Sequence, residues 1–183
     1  MVCAIYSAWF VYLTQSAFIF DGFGLSETSI GWLYLPLTCG IIGANRVSRR
    51  LLDRLPYDTI VALGVACFVA GGCAFLLTLA WPGRGATAVV LPMVLVSLAN
   101  GSSMSLAIAG AIASEHGRSA VASGLIGFFQ IASSSLVAFG ISAALGMSEG
   151  ILARTIFVLA LIAAVASVNR LAMRSPTSHD RIM

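Results

Sequence analysis

Three amide side chains, Gln15, Asn100 and Gln130, stand inside long uncharged apolar runs. An amide held in hydrocarbon is costly unless it meets a partner or a water-filled cavity. Aromatic residues lie close to two of them: Phe18 follows Gln15 by three residues and Phe128 precedes Gln130 by two, with Tyr34 in the next run. Gln15, Phe18, Tyr34, Asn100, Phe128 and Gln130 therefore make a candidate substrate cavity, with amides for orientation and rings for apolar contact. Scattered hydrogen bonds between packed helices are the alternative reading of the same residues. No Asp, Glu, Lys or His falls deep in any apolar run, so no proton relay inside the membrane is expected in this chain. Ser123, in the segment VASG, is a poor nucleophile candidate, because His116 and His179 both fall outside the runs and a base out of reach activates nothing. An intramembrane protease is thus the remote alternative, and no enzyme is expected. Cys3, Cys39, Cys67 and Cys73 form no CxxC pair and have no histidine nearby, so neither a metal nor a cofactor is expected.

The elements that would position these side chains follow from composition. The 183 residues are 59% hydrophobic and 9% charged, with mean hydropathy +0.98. A soluble domain carries about 25% charged residues, so the medium around this chain is lipid. A spanning helix needs roughly 20 mostly apolar residues. Six stretches meet or approach that length, at about 1–20, 28–45, 59–81, 88–114, 119–147 and 151–172. The second is short and carries Pro36 in its interior; the polar tail 175–183 follows the sixth. No Lys or Arg precedes the first run, which reads as a spanning helix and not as a secretory signal.

All ten basic residues are arginine. If both termini are cytoplasmic, that face holds Arg46, Arg49, Arg50, Arg54, Arg118, Arg170, Arg174 and Arg181, and the other only Arg84 and Arg154. The positive-inside rule selects this orientation. It also accounts for the net charge of +3 without nucleic acid, which is not an expected partner. Six spans divide into two three-helix units of opposite orientation, the 3+3 inverted-repeat plan of many secondary transporters. Small residues at helical spacing allow close helix approach in lipid; Gly101, Gly110, Gly124, Gly127 and Gly140 are the packing candidates. Glu115 and His116 read as a solvated turn.

Three segments, FVYLTQSAFIFDGFGLSETSIGWLY, ANRVSRRLLDR and GRSAVASGLIGFFQ, together resemble the C-terminal half of a major facilitator superfamily drug exporter. The likeness is to the Bcr/CflA group of drug:proton antiporters and runs from Met1 to about Arg174 as helices seven to twelve. The seventh helix of that group commonly reads FxYLxxSPFV; here Ala17 replaces the proline. The eleventh resembles GxASxxxGFxQ; here Ala122, Ser123, Gly127, Phe128 and Gln130 match and Ala120 replaces the first glycine. The resemblance implies an all-α half-bundle of a bacterial inner-membrane antiporter that exports small drug-like molecules by alternating access. It also implies that Arg46, Arg49, Arg50 and Asp53 brace a cytoplasmic gate, though a topogenic charge cluster explains them equally. The acidic residues credited with proton coupling in these antiporters lie in the N-terminal half, which has no counterpart here. Transport, and any proton coupling, is therefore expected only with an N-terminal half or a second copy of the chain. A remnant or membrane scaffold that transports nothing is the alternative.

Overall fold

The computed structural model describes residues 1–81, 85–114 and 119–174. Arg84, Glu115, His116, Arg118 and the tail 175–183 lie outside the described residues, as do the side chains of Arg170 and Arg174. Among the described residues all regular structure is helical: α1 (Val2–Gly22), α2 (Glu27–Leu33), α3 (Leu35–Leu51), α4 (Tyr57–Thr78), α5 (Ala86–Ala99), a π-helical turn (Asn100–Met104), α6 (Ser105–Ser114), α7 (Ser119–Leu145) and α8 (Glu149–Arg174). Among the described residues five helices are long and apolar enough to cross a membrane: α1, α4, the rod formed by α5, the π turn and α6, then α7 and α8. This is the mark of a membrane-embedded protein, because a backbone in lipid must satisfy its polar groups internally.

The second apolar run differs from expectation, as does the fourth, which the π turn interrupts. The second is no single helix but α2 followed by α3, with the break at Tyr34. Pro36 stands in the first turn of α3, where a missing N–H costs nothing. Ser26 starts α2 by accepting the Ser29 N–H at 3.4 Å, and Glu27 sits in its first turn, both favourable at a helix N-terminus. At the other end, Arg49 and Arg50 fall in the last turn of α3, where cations complement the exposed carbonyls. Sharp reversals follow α1 and α7 at Gly24 (φ +72°) and Gly146 (φ +79°), a conformation that glycine adopts without steric cost.

Each long helix has two or more neighbours. α4 packs along α5 and α8, α1 packs along α7 and α8, and α3 lies on α5 and the π turn. The core forms where α1, α4, α5 and α8 meet, around Ile5, Tyr12, Phe68, Phe75, Met93 and Ile156, all fully buried. Lipid supplies no hydrophobic drive for helices to associate, so close fit and small residues decide the contacts. A Cβ added to Gly72 would lie 3.1 Å from the Phe157 Cα, and one on Gly71 would lie 3.1 Å from the Pro92 carbonyl oxygen.

Candidate functional site

The π turn is the place to begin, because it interrupts the middle of the most buried rod. Its sequence, Asn100-Gly101-Ser102-Ser103-Met104, is small and polar. The Ser102 hydroxyl donates to the Leu98 carbonyl at 2.7 Å and the Ser105 hydroxyl to the Asn100 carbonyl at 3.5 Å. Serine back-bonding of this kind competes for helix carbonyls and lets the backbone depart from regular α geometry. Single π turns inside α-helices recur at functional sites.

Four helices close around this turn. Gly101 abuts the Ile41 backbone of α3, and a Cβ there would collide with the Ile41 carbonyl. Ser103, fully buried, donates to the Val61 carbonyl of α4 at 2.9 Å. Gly64 of α4 leaves room for the Ser102 and Ser103 hydroxyls. From α7, the Gln130 side-chain N–H donates to the Met104 sulfur at 3.6 Å, a weak acceptor. α1 also touches the turn.

A second polar group lies on α1. Gln15 and Ser16 are fully buried, as is Tyr12. Ser16 Oγ and Tyr34 Oη share a hydrogen bond of 2.7 Å, and the Tyr12 and Tyr34 rings meet edge-on with centroids 6.0 Å apart. Tyr34 thereby ties the α2–α3 break to α1. Among the described residues, both amide atoms of Gln15 and the Tyr12 hydroxyl have no hydrogen-bond partner. Each such group in an apolar interior costs about 1–3 kcal/mol.

The six candidate cavity residues therefore divide. Gln15 of α1, Asn100 of the π turn and Gln130 of α7 are buried, and Tyr34, at the α2–α3 break, is half-buried. Phe18 and Phe128 point outward, 62% and 64% exposed, so the rings are not gathered round the amides within this chain. The packing glycines divide too. Gly101 meets Ile41, and Gly110 makes room for the Tyr57 hydroxyl, which donates to the Leu106 carbonyl at 2.9 Å. A Cβ on Gly124, Gly127 or Gly140 would meet nothing within 4 Å among the described residues. Ser123 is exposed on α7.

Arg46, Arg49, Arg50 and Asp53 are all exposed. The Arg49 Nε–H donates to the Asn45 side-chain carbonyl at 3.2 Å. Among the described residues no group of His, Cys, Asp and Glu is placed to hold a metal ion.

Sequence reasoning missed Ser134, Gly64 and the α4 anchor of Ser103. The signal for Ser134 is helical spacing: Gln130, Ser134 and Ala138 recur every four residues and are the buried positions of α7. Gly64 carried no such signal, since its use depends on which helix it faces. No family model, curated protein or solved structure matches the chain.

Proposed function

We propose that the chain forms one six-helix half of a major facilitator-type drug exporter, of the kind its motifs resemble in the Bcr/CflA group. The observation that carries this reading is the pattern of helix neighbours. Number the apolar runs in order and exchange the first with the fourth, the second with the fifth and the third with the sixth. The α1–α7 pair becomes the pair of the α5 rod with α3, and α4 with the rod becomes α8 with α1; all four pairs pack together. The α4–α8 and α1–α5 pairs map onto themselves, and both are in contact. Invariance under this exchange is what two inverted three-helix repeats would produce, with α2 and α3 together making the sixth crossing.

In this reading α1, the rod and α7 bring Gln15, Asn100 and Gln130 toward one wall of a central pathway, and the other wall belongs to a second six-helix unit. The outward rings of Phe18 and Phe128 meet that unit or the drug. Substrate is held by apolar contact with few polar anchors, which suits a broad specificity. The π turn, weaker than regular helix, is the natural place for the rod to bend as access alternates. Proton coupling rests on acidic groups of the other unit. The arginine-bearing end of α3 faces the cytoplasm of a bacterial inner membrane, with both termini on that side. There Arg46, Arg49, Arg50 and Asp53 brace the gate.

The test is co-expression with the N-terminal six-helix half of a Bcr/CflA-type antiporter in a drug-sensitive bacterial strain. Cellular accumulation of an aromatic cationic dye should fall, and the Gln130→Leu chain, equally expressed, should restore it. Accumulation unchanged by a co-purifying pair of halves would overturn the transport reading and leave a membrane scaffold.

A further inference from the structure

A groove of about 320 Å3 runs between α3 and α4. Gly43, Val47 and Leu51 line it from α3, Leu63 and Cys67 from α4, and Leu98 forms part of its floor. Val47 and Leu51 also wall a second cavity, of about 420 Å3, whose other lining residues are Arg50, Asp53 and Arg54. One continuous surface thus passes from apolar side chains to guanidinium groups at the end of α3.

From Cys39 to Leu51, the α3 wall of the groove covers 12 residue steps, or about 18 Å of helix. That is close to one leaflet of a hydrocarbon core about 30 Å thick. Between residues 46 and 58 stand Arg46, Arg49, Arg50 and Arg54 against Asp53 and Asp58, an excess of two positive charges. We propose that this groove seats an acyl chain of an anionic phospholipid, with the lipid phosphate held by Arg50 and Arg54. A hydrocarbon chain matches the apolar walls, and the phosphate meets the two guanidinium groups at headgroup depth, where arginine favours planar anionic partners. Asp53 beside them repels a second anionic group and limits the site to one phosphate. The site requires only that α3 and α4 lie in a bilayer, so it stands or falls apart from the transport reading.

A Cβ on Gly43 would meet nothing within 4 Å, so a large side chain there fills the groove without displacing backbone. The experiment is native mass spectrometry of the full chain released from mixed micelles containing equal phosphatidylglycerol and phosphatidylcholine. The unaltered chain should retain phosphatidylglycerol in preference. The R50Q/R54Q double variant should lose that preference by on the order of 30-fold. Gly43→Phe should reduce retention of phosphatidylglycerol with helical circular dichroism unchanged. Equal retention of the two lipids, or a preference that survives both variants, would overturn the site. So would full competition by glycerol phosphate, which has the headgroup charge and no acyl chain.

Discussion

The rod from Ala86 to Ser114 and the helix α7 look alike as sequences and live in different surroundings. Each is long, apolar and uncharged, and each carries one amide and several small residues three or four apart. Yet 61% of the most apolar window of the rod is buried inside the chain, against 17% for α7. α7 attaches through a narrow line of Gln130, Ser134 and Ala138, while Leu136 and Phe139 are more than 70% exposed. In water such a helix would be an aggregation hazard. In lipid the apolar face is stable, and what stands out is the pair Gly124 and Gly127, one turn apart, which meets no neighbour among the described residues. The same local pattern serves an interior joint in one helix and an outer face in the other.

That contrast is easiest to break at glycine. Gly101→Val drives its side chain into the Ile41 backbone, which no rotamer change relieves. It should cost about 3 kcal/mol or more, read from reversible denaturation in mixed micelles. Gly127→Val places its side chain in open space and should change stability by no more than about 0.5 kcal/mol. Equal effects at the two sites would erase the distinction between rod and α7. A bulkier change sharpens it: Gly127→Trp should leave the chain folded alone yet abolish co-purification with a second six-helix half. An effect well below that at Gly101 belongs to Ser103→Ala, which removes the bond to the Val61 carbonyl. Hydrogen bonds between membrane helices average about 0.6 kcal/mol, and a loss of that order is expected by the same measurement.

Much of the helix layout was legible in the apolar runs, because a bilayer imposes one length and one kind of element. The break at Tyr34 was not, although Pro36 marked the neighbourhood. A proline at that point reads equally as a kink within one helix or as the first turn of another, and the Ser16–Tyr34 bond that fixes Tyr34 joins residues 18 apart. The amides were conspicuous for a simple reason: polarity in a greasy run has few explanations. Phe18 and Phe128 show the converse, for an aromatic ring is equally at home against protein or lipid and its sequence position does not choose. The π turn was hidden because its cause is distributed. It needs Gly101 against Ile41, the serine back-bonds and the α4 carbonyl that accepts from Ser103.

The proposed six-crossing arrangement depends most on α2 and α3, which are individually shorter than the five spanning helices yet together cover residues 27–51. Single cysteines at Glu27 and Asp53, in a chain whose four native cysteines are replaced by serine or alanine, report on this crossing through a membrane-impermeant maleimide. Both positions are exposed. Glu27→Cys should label in intact spheroplasts, and Asp53→Cys only after the membrane is permeabilised. Labelling of both from the same side would show that 27–51 does not cross, and the paired three-helix arrangement would fail with it.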